Sequence, residues 1–553
     1  MQQQHGMCVP GAGGRANCAA LYRNRQMSPA PHTSLSLLRL ASADAFTPIS
    51  VNTPARLMDA KEFRERGKQV IDEIADYYEA LGTVPPMAKV EPGYLYRLIS
   101  HEVPETPEPL EAIQRDIRDK IMPGMTHWQS PNFFAWYPCN ASFPAMLGDM
   151  YSAMFSIVEF NWLCSPAATE LETVVMDALA RLIGLDKRFM AIKEDGTEGS
   201  GGGVIQGSAS EATMVAMIAA REMAIDRLKA RDLDEEEAGR LRGKLIAYCS
   251  DQTHSSIQKA ANVIGCKINV LPTRTTSFRL TEDMLRDAVA KDRAAGLVPF
   301  FVCATFGTTN TASIDDIPGI ASVSELEHLW LHVDAAYAGA ALPCPEFRPL
   351  ARGIERADSF SFNPHKWMLS NHSCCAMWVA DSTHLVNALS INREYLPKVK
   401  NGTGFVKDYR DWQLPLGRPF RAMKLWFILR MYGAQGIRKH IRDDVEQAKW
   451  LGKQLEDDGR FELVVPVVFG LAVFRIKPSA VAGAGATDSA NKANVDLVNA
   501  INSNGRVFLL GTKLHGVDAI RVAIGSTYGT QDHVSALCEE IKETATNILQ
   551  HCE

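Results

Sequence analysis

The stretch LWLHVDAAYAG, Leu329 to Gly339, decides how the chain is read. Its apolar run is short, ends on a single acid, Asp334, and passes at once into small residues, the pattern of a strand buried on both faces. Two earlier stretches repeat it, KLIAYCS (Lys244–Ser250) and PFFVCAT (Pro299–Thr305), with longer helical segments between them. That alternation is the βαβ signature of a mostly parallel sheet and predicts an α/β domain over 141–435. Beyond it, IRKHIRDDVEQAKWLGKQL reads as a helix leading into FELVVPVVFGLAVFRI and AIRVAIG, the strands of a smaller α+β domain over 436–553. Within that domain KPSAVAGAGATDSANKAN, rich in Ala, Gly and Ser, is expected to be a loose surface loop.

Ahead of the large domain, DAKEFRERGKQVIDEIADYYEAL reads as an amphipathic helix whose Asp59 and Glu62 match a capping box. The Pro-rich TVPPMAKVEPGY and HEVPETPEP then break the chain into short pieces, so 57–140 is expected to be a helical arm that packs on another surface. Residues 1–56 stand apart. No acidic residue occurs from Met1 to Ala43, while four arginines lie among Ser, Ala and Gly, which suits either a transit peptide or a disordered tail. The location expected is cytoplasmic, or plastid or mitochondrial if the extension directs import.

The chain has 553 residues, is 46% hydrophobic and carries a formal charge of -6, so no basic excess suits nucleic acid or an anionic membrane. No apolar run reaches the roughly 18 residues of a spanning helix. The twelve cysteines show no C-x-x-C pair and no zinc spacing, so no metal site is expected and the thiols read as reduced.

In open α/β sheets, ligands bind beyond the carboxyl ends of the strands. There the sequence puts His254 in LIAYCSDQTHSS, Thr305 in FFVCATFGTT, and Asp334. A glycine-rich segment, GSGGGVIQGSASEATMVAMIAAR, opens a helix at Ser-Ala-Ser, and free N–H groups at such a start favour phosphate. It lacks the G-K-[ST] of a P-loop and the acid of a dinucleotide site. The fourth signal is Lys366, held between a His and a Trp in SFNPHKWMLSN. Together these describe what pyridoxal 5'-phosphate needs: a desolvated lysine to condense with the aldehyde, an acid on the ring nitrogen, an imidazole to stack, and a phosphate cradle.

These residues resemble a known family. SFNPHKW, HVDAAYAG, SDQTHSS, IQGSASEAT, SPAATELE and DYRDWQLPLGRPFRAMKLWF, in that set, look like the group II pyridoxal-phosphate decarboxylases, specifically the aromatic L-amino acid decarboxylases of animals and plants. The likeness runs from about Met58 to the C-terminus. It implies fold type I of the pyridoxal-phosphate enzymes, with a seven-stranded large-domain sheet, and a homodimer with sites at the interface. It further implies that Lys366 bonds the cofactor, Asp334 pairs with the pyridinium and His254 stacks on the ring. Thr305 and Ala336 would touch the ring, and Ala209, Ser210 and Asn363 would hold the phosphate. Tyr395, in INREYLPKVKNGTGF, matches the loop tyrosine that protonates the α-carbon of the neighbouring subunit's substrate after carbon dioxide leaves.

For the substrate ring the resemblance implies Trp128, Trp136, Tyr137, Pro138 and Cys139 from THWQSPNFFAWYPCN, with Val158, Glu159, Phe160 and Gly417 approaching from the partner. Phe133 and Phe134 are expected in an aromatic core. Glu159 stands where the family has a small Gly, and Cys139 where it has Thr or Ser; a carboxylate near the ring would alter substrate preference. Gly417, small where phenol-selective plant relatives carry Ser, leans toward indole. Relatives that make aldehydes with oxygen replace the tyrosine by Phe or the stacking His by Asn. Tyr395 and His254 therefore favour the amine product, with an aldehyde synthase and a non-catalytic relative as the alternatives.

Overall fold

A computed structural model describes residues 58–229, 235–391, 407–481 and 486–550. The transit-like extension, residues 230–234 and Tyr395 lie outside the described residues.

The large sheet has seven strands: β1 (Gly202–Gln206), β2 (Leu245–Ser250), β3 (Lys267–Leu271), β4 (Val298–Thr305), β5 (Trp330–Asp334), β6 (Ser359–Phe362) and β7 (Cys375–Val379), in the order β1-β7-β6-β5-β4-β2-β3. Only β7 runs against its neighbours. Strands β2, β4 and β5 are the three apolar runs expected from the sequence, and they are continuous because helices cover both faces. Alternate residues feed different cores. Val302 and Ala304 pack with Ile320 and Leu331 on one face, and Phe301 and Cys303 pack with Ala216 and Ala220 on the other. The helix Ala209–Lys229 approaches closely because Ala212, Ala216, Ala219 and Ala220, all fully buried, form its contact stripe.

A second sheet is antiparallel, β8 (Phe461–Leu463), β9 (Leu471–Ile476), β10 (Leu510–Leu514) and β11 (Val517–Ala523), ordered β10-β11-β9-β8. The helix Gly433–Asp458 leads into it. The expected loose loop before residue 494 is corrected here: Ala486–Asn504 is a helix, with Ala490, Ala493, Leu497 and Ile501 buried. Alanine is the best helix former, and these four recur at helical spacing, so a composition that looks like a linker hides an amphipathic helix.

At the N-terminal side, Asp59 caps the helix Ala60–Ala80 by accepting the backbone N–H groups of Lys61 and Glu62, as the capping box predicts. The proline-rich stretches allow only short helices, Tyr94–Leu98 and Leu110–Asp116. The following extended segment is anchored on the second sheet: Phe134 N donates to Phe508 O (3.0 Å) and Ala523 N to Phe134 O (3.0 Å). Phe133 and Phe134 are buried, as expected of an aromatic core. Among the described residues no helix is long and apolar enough to cross a membrane, no cluster of three or more His, Cys, Asp or Glu suits a metal, and all nine cysteines are free.

Candidate active site

Parallel register sets the polar residues side by side. Thr305 pairs with Asp334, and Asp334 with Ser361, across the carboxyl edge of the sheet. Asp334 is buried and its Oδ1 accepts the Ala336 N–H at 2.9 Å, which fixes the carboxylate against the turn that follows β5. Thr305 is held by Asp315, whose oxygens accept the backbone N–H groups of Thr305 and Leu280, both at 2.7 Å; burial pushes Asp315 up to about 7. After β2, the Ser256 N–H (3.2 Å) and hydroxyl (2.9 Å) both reach His254 Nδ1. A backbone N–H can only donate, so Nδ1 is the acceptor and the neutral ring carries its proton on Nε2. Burial lowers the His254 pKa, which keeps that neutral form.

Lys366 sits in the one-turn helix Pro364–Trp367 that follows β6. Its residue is half-buried only because part of it faces a cavity; enclosure by protein lowers its pKa, and Asp334 opposes that shift. The turn is clamped on both sides. Asn140 donates its N–H to His365 O (2.7 Å), accepts the Leu369 N–H (3.0 Å) and donates its side-chain amide to Gly525 O (2.7 Å). Trp367 Nε1 donates to the buried Asp444 at 2.7 Å, and its ring begins a stack that runs through Tyr337 (4.9 Å) to Tyr137 (3.8 Å). Lys366 Nζ lies 5.4 Å from the centre of that last ring.

The cavity has a volume of about 500 Å³. It brings together Trp128, Trp136, Tyr137, Pro138, Cys139, His254 and Lys366, seven of the residues picked from sequence. Trp128 and Trp136 stack at 5.1 Å and 13°, forming a flat wall. Thr305, Asp334, Ala336, Ala209, Ser210 and Asn363 stand at or just beyond the ends of β4, β5, β1 and β6, on the same sheet edge but off this lining. Val158 and Gly417 come together elsewhere, on the surface, where a Cβ built on Gly417 would lie 3.5 Å from Val158.

Glu159 differs from its expected place near the ring. It is fully buried inside its own chain, and neither carboxylate oxygen has a hydrogen-bond partner among the described residues. Its charged neighbours are Glu172, Arg418 and Arg421; the first two are a fully buried pair in which Arg418 Nη2 reaches both Glu172 oxygens at 2.7 Å. Glu172 also accepts the Ile205 N–H at 2.8 Å, so SPAATELE, IQGSASEAT and DYRDWQLPLGRPFRAMKLWF interlock through one carboxylate. Burial and the Glu172 charge push the Glu159 carboxyl up to about 8.

Four lining residues escape a reading by strand ends: Thr309, His365, His372 and Arg521. Arg521 donates to Thr309 O (2.8 Å) and Asn310 O (3.2 Å), and its guanidinium lies 5.1 Å from the Tyr137 ring. A charge inside the strand AIRVAIG was the available signal, since a strand core rarely carries an arginine without a purpose.

These residues fit pyridoxal phosphate. The site offers an amine whose proton is held loosely, a buried carboxylate, a fixed neutral imidazole and the start of a helix. The buried Asn363 leaves its Oδ1 without a partner among the described residues; water accompanying a phosphate could donate to it, while the amide N–H is the part that could donate to a phosphate oxygen. Residues 92–477 match the family described as "Pyridoxal-dependent decarboxylase conserved domain". The aromatic-L-amino-acid decarboxylase of Mus musculus is 44% identical over 493 residues, 89% of this chain and 99% of that one. The phenylacetaldehyde synthase of Arabidopsis thaliana is 42% identical over 496 residues, 89% and 97% of the two chains. The crystal structure of an Oryza sativa TDC with PLP and tryptamine superposes with a TM-score of 0.85 at 38% identity, covering 90% of this chain and all of that one. With this match and these relatives, the chain belongs to the pyridoxal-dependent decarboxylase family, among the enzymes of aromatic amino acids.

Proposed function

We propose that the protein decarboxylates an aromatic L-amino acid to the arylalkylamine and carbon dioxide. The observation that carries the reading is one cavity holding Lys366, with its lowered pKa, beside the flat Trp128–Trp136 wall. When bound, pyridoxal phosphate supplies a conjugated cationic ring that accepts the electrons of the breaking bond between the α-carbon and the carboxylate.

The chain's own residues do the rest. Asp334 would keep the ring nitrogen protonated, and His254, its Nδ1 anchored, would present Nε2–H to the site. Thr305 and Ala336 would line the ring, and Ala209, Ser210 and Asn363 would hold the phosphate. Lys366 would anchor the cofactor. Arg521, a second cation on the cavity wall, attracts the α-carboxylate. The tryptophan wall, with Tyr137, Pro138 and Cys139, takes the ring and excludes water. Tyr395 returns a proton to the α-carbon.

A homodimer completes this arrangement. The helix Phe143–Phe155 leaves Phe143, Met150, Tyr151, Met154 and Phe155 exposed, an apolar face that supports burial against a second copy. Val158, Phe160 and Gly417 would then reach the other subunit's ring pocket, and Glu159 would act only from behind them. In this reading 57–140 is the arm, 141–435 the cofactor domain and 436–553 the small domain. The protein works in the cytoplasm, or in an organelle if the extension before residue 57 directs import.

The test is a product balance on tryptophan, tyrosine, dopa and phenylalanine. Amine equal to the carbon dioxide released is expected. Aldehyde with ammonia and peroxide as the main products would replace the reading by the aldehyde synthase, which the Arabidopsis relative makes the leading alternative. No release from any of them, together with no pyridoxyl mass on the Lys366 peptide after borohydride, would leave a non-catalytic protein.

A further inference from the structure

His372 lines the same cavity, and nothing in the reaction above uses it. It stands six residues beyond Lys366 and its ring lies 4.6 Å from that of His365. The two imidazoles are engaged differently. His365 is buried, its Nδ1 faces the N–H and the carbonyl of Cys374 (3.0 and 2.6 Å) and bonds one or the other according to its tautomer, and burial lowers its pKa to about 3. His372 is exposed at the mouth; its Nδ1 meets only the Ser373 hydroxyl at 2.8 Å, and its Nε2 has no hydrogen-bond partner among the described residues.

The cavity has a direction. Lys366 is the enclosed end, while Trp128 and Trp136, 39% and 45% exposed, and His372 lie toward the opening. A substrate whose amine reaches Lys366 therefore carries its ring along the tryptophan wall with the far edge of the ring toward His372. From this arrangement we infer that His372 is a specificity-determining residue that selects amino acids bearing a hydroxyl on the aromatic ring, whether phenol, catechol or hydroxyindole.

The chemistry follows from the inventory of donors and acceptors. The Ser373 hydroxyl can donate to Nδ1 or accept from it, so Nε2 is either an N–H donor or a lone-pair acceptor. A ring hydroxyl matches both states. An indole N–H matches one, and an unsubstituted phenyl matches neither. His372 asks that the ring be polar at its outer edge. A site built to bond a hydroxyl also rejects the analogue lacking it more strongly than an apolar wall rejects an added group.

This inference rests on the decarboxylase reading, and equilibrium binding of product amines separates the two. Holoenzyme is titrated calorimetrically with tyramine against phenethylamine, and with 5-hydroxytryptamine against tryptamine, for the wild type, His372→Phe and His372→Gln. The wild type should bind the hydroxylated member of at least one pair about tenfold tighter, which is about 1.4 kcal/mol. The pair that shows the preference distinguishes a phenol site from a hydroxyindole site. His372→Phe should bring the two members of that pair within about twofold, and His372→Gln should keep most of the preference because the amide also donates and accepts. Equal affinities in the wild type, or a preference that survives in His372→Phe, would overturn the role of His372 alone. Holoenzyme that binds none of the four amines would overturn both this role and the decarboxylase reading.

Discussion

Replacing Glu159 by Gln removes one titrating proton from the interior with almost no change of shape. The side chain is fully buried, and of the two arginines that favour its charged form, Arg418 and Arg421, Arg418 already has its charge met by Glu172 in a two-oxygen contact. Burial first, and Glu172 second, push the Glu159 carboxyl from 4.5 up to about 8. Because the folded value lies above the unfolded one, the folded chain keeps a proton that the unfolded chain has released between those two values. Stability from this group is full below the unfolded pKa and falls as pH rises through the folded pKa. One proton corresponds to about 1.4 kcal/mol per pH unit, so between pH 6 and pH 8 the wild type should lose about 2 kcal/mol relative to Glu159→Gln. Urea titrations of both proteins at a fixed concentration and saturating cofactor, repeated across that range, measure the difference. Parallel stability curves would refute the reasoning. They would mean that Glu159 is ionised when folded and that Arg418 Nε and Nη1, which lack partners among the described residues, take up its charge.

Three further outcomes follow from the same geometry. Trp367→Phe keeps the stack on Tyr337 but leaves the buried Asp444 without its indole donor, and denaturant titration should show a loss of about 1–3 kcal/mol. Asp334→Asn removes the carboxylate that opposes the lowering of the Lys366 pKa; cofactor should be lost faster on dialysis, and amine formation should fall by about two orders of magnitude or more. Tyr395→Phe should retain cofactor absorbance and move the product balance from amine toward aldehyde and peroxide; unchanged amine output would remove the tyrosine from the protonation step.

What could be read in the sequence was what lies close along the chain. Strands β2, β4 and β5 announce themselves as apolar runs, and His254, Thr305 and Asp334 follow each within a few residues, so a rule about strand ends finds them. Partners far apart in the chain leave no such trace: Arg418 meets Glu172 across 246 residues and Trp367 meets Asp444 across 77, and only the folded chain pairs them. Glu159 is the instructive case, because the turn that carries it inward is held by Arg418, far along the chain. The chain turns tightly at Glu159: its N–H donates to Arg418 O (2.9 Å) and the Phe160 N–H donates back to Val158 O (3.1 Å). Val158 is exposed and Phe160 half-buried, whereas Glu159 between them is enclosed. Treating 158–160 as one substrate-facing run assigns the middle residue to the wrong side. If Val158 and Phe160 face a second subunit, the turn between them sends Glu159 into the interior, where an acid must find a cation or keep its proton.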